Sequence, residues 1–222
     1  MGAPVPSSFP IFPLPDCVLF PDVELGLHIF EPRYRALTQA ALEGDGVIGM
    51  MLIRPGEDAR AARARVFAIG CAGRIVRSVR LASGRFQLEL AGARRFRILA
   101  EDAQAGGFRL AHVELLRDPR FEDLAPDVRH RLEGLRAVLH DAVLHQAPRT
   151  RAPAVRALAE GMSALDPVQL VHAIAFGLAI PEVEKQGLLE APDIEQRAEM
   201  LRALLEIRRA ERTAPPTPRG VH

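Results

Sequence analysis

The apolar periodicity of this chain changes once, and that change constrains the fold more than any other feature. Up to about Arg117 apolar residues recur at every second position: Phe86, Leu88 and Leu90 alternate with Gln87, Glu89 and Ala91, and Phe67, Ile69, Cys71 and Ile75 keep the same period. A period of two puts one set of side chains on one face of a strand, so these segments predict an antiparallel sheet buried on one side. Beyond Asp118-Pro119 the step becomes four and three, through Val128, Leu132, Leu135, Leu139 and Ala142, which predicts an amphipathic helix over about Pro126 to Gln146. The fold class is therefore α+β. A β-rich domain is expected over 1–117, a helical bundle over 118–212 and a disordered, Pro-rich tail over 213–222.

Turn and cap residues divide these regions further. Ala82-Ser83-Gly84-Arg85 reads as a hairpin turn, and Gly92-Ala93 as a tight link into a strand over Arg94 to Leu99 with Phe96 and Ile98 pointing inward. Short strands joined by short turns close readily into a barrel. One helix interrupts the strands, opened by Glu31-Pro32, carried by Tyr34, Leu37 and Ala41, and ended at Gly44. A strand over Val47 to Ile53 assigns Met50 and Met51 to the core. Later, Asp166-Pro167 starts a helix that Gly177 and Pro181 bracket, and Asp193 caps a last one bearing Ile194, Ala198, Leu201 and Leu205.

Catalytic patterns are missing. At 222 residues and 48% apolar the chain can build a core without disulfides or metal. Its single lysine, Lys185, stands between Glu184 and Gln186, outside any phosphate loop, and reads as part of a solvated helix face. His140 and His145 are five apart and diverge on a helix, while Asp141 and His145 have ordinary surface spacing. His112-Val113-Glu114 lacks the Pro-Cys-x-x-Cys half of a zinc deaminase motif, and no serine lies in Gly-x-Ser-x-Gly. Gly70-Cys71-Ala72-Gly73 inside a strand pattern marks a bulge or close packing. Cys17 and Cys71 are too few and too far apart for a zinc knuckle or redox pair. No enzyme activity, cofactor or metal site is expected. The first ten residues carry no basic region ahead of an apolar stretch, Pro6 stands where myristoylation wants Ser or Thr, and no run approaches a membrane span, so a cytoplasmic protein is expected.

Charge leaves two partner classes open. The net charge is +1, yet Arg60 to Arg97 holds ten arginines against the one acid Glu89, whereas Glu182 to Glu211 holds eight acids against five bases. That asymmetry keeps an RNA-binding alternative in view. Because 28 of the 29 basic residues are arginine in an Ala-rich chain, a composition bias with arginines on solvated strand faces accounts for it more simply.

Several separated motifs, in order, carry a resemblance. Phe12-Pro-Leu-Pro15, Val18-Leu-Phe-Pro21 and Leu27-His-Ile-Phe-Glu-Pro-Arg-Tyr34 resemble the start of the N-terminal substrate-recognition domain of the ATP-dependent protease Lon. Gly70-Cys-Ala-Gly-Arg-Ile75, Gly84-Arg85 and Gly92-Ala-Arg-Arg-Phe-Arg-Ile98 are similar to its glycine-centred strands, and Glu184 to Glu190 with Asp193 to Arg197 to its helical part, so the resemblance spans about 9–209. It departs at Leu25-Gly26-Leu27, where the family usually has Leu-Pro-Leu. The resemblance implies a PUA-like β pseudo-barrel followed by the helical bundle, in a stand-alone bacterial protein without the ATPase and protease modules. It also implies a non-catalytic module that binds unfolded or exposed polypeptide segments, with a protease or chaperone as companion and no membrane. His28, Phe30 and Tyr34 are expected to fasten the first helix to the barrel, with Glu31 and Arg33 as ion-pair or capping partners. No compact motif marks the contact surface, so no polypeptide-binding residue is assigned from sequence.

Overall fold

Six strands form where the period of two holds: β1 (Ser8–Leu14), β2 (Glu24–Ile29), β3 (Val47–Leu52), β4 (Ile69–Arg80), β5 (Phe86–Ala103) and β6 (Arg109–Leu115). The computed structural model describes residues 4–146 and 161–213, and side chains over 4–139 and 161–210. The sheet is mixed, in the order β2-β5-β4-β3-β1-β6, and a further β5–β6 pairing closes it on itself. Only β1 and β3 run parallel, because the chain between them crosses over through β2 and helix α1 (Pro32–Glu43).

The interior holds Phe9, Ile11, Val47, Met51, Phe96 and Val113, with the Phe9 and Phe96 rings edge to face at 5.0 Å. Met50 and Met51 are buried as expected. Gly49 lets these rings approach, since a Cβ there would stand 2.7 Å from the Phe9 ring. Gly70 does the same for Met51, and β4 shifts register between Ala72 and Gly73, so this glycine run combines close packing with a bulge.

Two local expectations are corrected. Gly92-Ala93 is no turn: β5 continues through it to Ala103, and Gly92 is required because a Cβ would lie 2.0 Å from the Phe20 carbonyl oxygen. Phe67 precedes β4, which starts at Ile69, and belongs to the preceding loop.

Past Asp118 no strand occurs among the described residues, and the period of 3.6 gives α2 (Pro126–Gln146), α3 (Pro167–Gly177), α4 (Glu182–Glu190) and α5 (Ile194–Thr213). Packing nevertheless divides the described residues elsewhere than at 117/118. One compact unit lies within 1–119 and 172–191, the other within 120–171 and 192–222. The segment 172–191 goes with the sheet because Arg95, on the face of β5 opposite Phe96, is only 2% exposed and reaches it: its guanidinium donates to the carbonyls of Leu189 (2.8 Å) and Ala191 (2.5 Å). Asp118 closes the arrangement, accepting from the Arg95 amide at 3.0 Å and from its Nε at 2.8 Å. Gln186 adds a bond from Nε2 to the Ile69 carbonyl at 2.9 Å.

In the other unit α2 and α5 pack through Leu132, Leu139, Ala198, Leu201 and Leu205, and Arg131 bridges Asp127 and Glu195. Asp166 caps α3 by accepting from the amides of Val168 (2.8 Å) and Gln169 (2.9 Å), while the Gln169 side chain accepts from the Asp166 amide. Asp193 accepts from the Gln196 amide at 2.8 Å. The tail from 214 onward, and the side chains of His140, Asp141 and His145, lie outside the described residues.

Candidate functional site

The longest connection inside the sheet unit, Ile53 to Ala68, is rich in alanine and arginine and folds back on itself. Ile53 bridges Val66, the Arg54 amide donates to the Arg65 carbonyl, and Asp58 accepts from the Arg60 amide at 2.9 Å in an Asx turn. Glu57 clamps the loop by accepting from the Arg65 amide (3.0 Å) and Nε (2.7 Å); these bonds hold its carboxyl below the usual glutamate range. Helix α1 steadies the same loop. Arg33 pairs with Glu31 at 3.1 Å and donates to the carbonyls of Ala59 (3.1 Å) and Arg60 (3.3 Å). The expected Glu31–Arg33 pair thus forms, and it positions a loop.

Facing this loop are the end of β5, the turn Gln104–Phe108 and the start of β6. Gly107, at φ 77°, makes the turn, and Gln104 and Phe108 close it with a 2.9 Å backbone bond. Between loop and hairpin lies a groove of about 710 Å³. Its floor is apolar, with half-buried Val66, Phe67, Ile98 and Phe108. Its rim carries Arg54, Arg63, Arg65 and Arg109 with Glu101 and Asp102.

Most of that rim charge is already satisfied. Arg54 donates to the Val66 carbonyl at 3.1 Å and lies over the Phe67 ring, and Arg65 is held by Glu57. Arg109 donates to Glu101 at 2.9 Å and to the Ala64 carbonyl at 3.1 Å, and His112 meets Asp102 at 2.8 Å. Of the four arginines, Arg63 alone has no side-chain partner among the described residues. Such a groove offers apolar contact and backbone groups with little free charge.

The structure scatters the basic segment. Arg95 is buried, Arg74 donates to the carbonyls of Asp45 (3.1 Å) and Pro4 (3.3 Å), and Arg97 lies 3.7 Å from Glu114. On β4, Arg77 stands beside Glu89 of β5, and Arg80 beside Phe86, whose ring its guanidinium covers at 5.7 Å.

Other residues singled out from sequence also find their places. Tyr34 fastens α1 as expected: its hydroxyl donates to the Pro13 carbonyl at 3.0 Å, its ring lies 4.1 Å from that of Phe12, and burial raises its pKa. His28 and Phe30 do not; both are exposed, Phe30 to 59%, because β2 alternates and turns His28 outward and the strand ends before Phe30. Lys185 is not on a solvated face either. Its side chain is 13% exposed, paired with Glu182 at 3.1 Å beside Phe176. Cys71 is buried, and burial, aided by the carboxylates of Glu182 and Asp16, pushes the Cys17 thiol up to about 11. Among the described residues no three His, Cys, Asp or Glu side chains gather as metal ligands, and no helix is long and apolar enough to cross a membrane. Sequence reasoning missed the groove-lining role of Phe67 and Phe108; the one local signal was an aromatic directly after Gly106-Gly107.

Comparison with known proteins gives consistent matches. The family model for the ATP-dependent protease La (LON) substrate-binding domain matches residues 8–206. Lon protease 2 of Syntrophobacter fumaroxidans is 29% identical over 213 residues, covering 94% of this chain and 26% of that protein. Lon protease 2 of Myxococcus xanthus is 28% identical over 205 residues, covering 92% and 24%. The chain thus spans about a quarter of the length of these relatives. A Lon N-terminal domain protein from Xanthomonas campestris superposes with a TM-score of 0.63 at 27% identity, covering 88% of this chain and 97% of that one. The N-terminal domain of Mycobacterium avium complex Lon protease has the same fold, with a TM-score of 0.67 at 18% identity over 90% and 98% of the two chains.

Proposed function

The chain belongs to the family of LON substrate-binding domains, and from that premise we propose that it is a non-catalytic module that binds unfolded or exposed polypeptide segments through the groove between the Ile53–Ala68 loop and the β5–β6 hairpin. The observation that carries the proposal is the groove's composition: an apolar floor of Val66, Phe67, Ile98 and Phe108 under arginines that the protein itself engages. A polypeptide gains there by dehydrating apolar side chains, and its backbone finds polar groups at the rim. RNA binding, by contrast, draws on clustered unpaired cations and stacking aromatics, whereas within Arg60 to Arg97 Arg95 is engaged by Asp118, Arg74 by backbone carbonyls and Arg80 by the Phe86 ring. Closure of the sheet supports assigning the N-terminal unit to the PUA-like pseudo-barrel type, and the packing of α2 on α5 supports a helical bundle in the other unit. A cytoplasmic location, in company with a protease or chaperone, accords with this role.

Titrating a labelled unfolded protein and a structureless RNA at low and high salt tests it. Polypeptide binding in the micromolar range, an order-of-magnitude expectation for a small apolar interface, should persist at high salt. Phe108→Ala removes a half-buried ring and should weaken it roughly fivefold, about 1 kcal/mol of lost apolar contact. RNA binding that falls steeply with salt, without polypeptide binding, refutes the proposal.

A further inference from the structure

Strand β2 has one free edge. Among the described residues it pairs only with β5, in the register Glu24↔Ala91, Leu25↔Leu90, Gly26↔Glu89, Leu27↔Leu88, His28↔Gln87 and Ile29↔Phe86. The Gly92 amide donates to the Val23 carbonyl at 2.8 Å, which fixes the phase of the ladder. In an antiparallel pair hydrogen-bonded and non-hydrogen-bonded positions alternate, so Leu25, Leu27 and Ile29 bond to β5 while Glu24, Gly26 and His28 turn their N–H and C=O groups away from it. Those three residues are exposed, and no hydrogen bond from elsewhere in the described residues reaches their outward backbone groups. Natural edges are usually blunted by proline, lysine or a bulge. Between Glu24 and Ile29 there is none of these, and a Cβ on Gly26 would meet nothing within 4 Å.

The edge is also chemically palindromic. Read in either direction, Glu24-Leu25-Gly26-Leu27-His28 has an acid facing a histidine across a Leu-Gly-Leu centre. A two-fold axis through Gly26 sets Glu24 of one copy opposite His28 of the other, twice, and Leu25 opposite Leu27, twice. The facing residues 24, 26 and 28 are the very ones with outward backbone groups, so each pair can exchange N–H···O=C bonds, while the half-buried leucines take the close, non-bonded positions. Phe30, 59% exposed, adds an apolar ring at each end.

From this self-complementarity we infer that β2 is a homodimerisation edge, joining two copies of this chain antiparallel about Gly26 into one continuous β4-β5-β2-β2-β5-β4 sheet. The interface is isologous, so a single charge reversal acts twice and a compensating swap restores both contacts. The inference is independent of the polypeptide-binding groove, which lies on other elements.

Sedimentation equilibrium of the full chain over a wide concentration range provides the test, with circular dichroism confirming that each variant is folded. The wild type should form a reversible dimer. Gly26→Pro removes an outward N–H without taking a bond from the β5 ladder, and should weaken the dimer at least tenfold. His28→Glu places glutamate against Glu24 and should weaken it similarly, whereas the double variant Glu24→Lys, His28→Glu should recover near wild-type association. If Gly26→Pro fails to fold, the charge-swap pair decides alone. A wild type that stays monomeric at all concentrations overturns the inference. So does a dimer indifferent to these substitutions, or a monomer whose β2 edge instead takes up an extended peptide sensitive to Gly26→Pro.

Discussion

Replacing Arg95 by methionine should release the 172–191 segment from the sheet. The native guanidinium is 2% exposed and donates to the Asp118 carboxylate and to the carbonyls of Leu189 and Ala191. Methionine fills similar volume but donates nothing, so both carbonyls lose that donor, at about 1–3 kcal/mol each for a buried acceptor left unsatisfied. Asp118 loses its ion pair as well, but at 13% exposure it still reaches water, so its share is the smaller. About 2–6 kcal/mol for the two carbonyls is a large part of the roughly 5–15 kcal/mol that holds a typical domain. The strain falls on one attachment, so the expected result is local: amide exchange in α4 accelerating by about a thousandfold while β3 and β4 keep their protection. Asp118→Ala should cost about 3–5 kcal/mol because it strands the buried cation. The double variant should cost little more than Arg95→Met alone, since the pair is then already broken. Hydrogen exchange with urea unfolding of all three variants checks this; an Arg95→Met protein that loses under about 1 kcal/mol, with α4 exchange unchanged, refutes the role given to Arg95.

Two further outcomes concern titratable groups. With its pKa pushed up to about 11 by burial, Cys17 should be about a thousandfold less thiolate than thiol at pH 8, so iodoacetamide should modify it far more slowly in the native than in the urea-unfolded protein; equal rates overturn the burial argument. Glu57 is held below the usual glutamate range by the Arg65 amide and guanidinium, so its clamp stabilises the loop above the unfolded pKa and is lost as pH falls through the lower folded value. Protection of the Arg65 amide should therefore survive at pH about 4.5 and disappear on further acidification, and protection independent of pH in that window argues against the clamp.

Strand and helix content was legible because burial on one face imposes a period, and periods survive in a single sequence. Less visible was everything set by what packs on the second face of a strand. Arg95 sits in the outward phase of β5 and reads as solvated, yet the 172–191 segment covers it. Lys185 is hidden for a related reason: its neighbours Glu182 and Phe176 come from one helical turn back and from the preceding helix. Gly92 looks like punctuation in sequence, but its role depends on Phe20, far away in the chain and hard against it in space. The groove was equally invisible, since its floor joins a loop residue, Phe67, to a strand residue, Ile98, and a hairpin residue, Phe108.

The arginines show why a linear charge cluster is not a surface cluster. Between Arg60 and Arg97 the chain passes through a loop and two paired strands, and each step of two residues along a strand keeps a face while each step of one changes it. Register then sets Arg77 beside Glu89 and Arg80 beside Phe86, while Arg74 turns to backbone carbonyls and Arg95 to Asp118. The local sequence carries the alternation; the neighbours come from sheet order. Gly26 obeys the same logic. As a letter it is a departure from Leu-Pro-Leu; as a position it is an outward N–H on an unpaired edge, where a proline would have had none. What that substitution does to association is decided by the order β2-β5-β4, which leaves β2 outermost, and by the symmetry of the five residues centred on it.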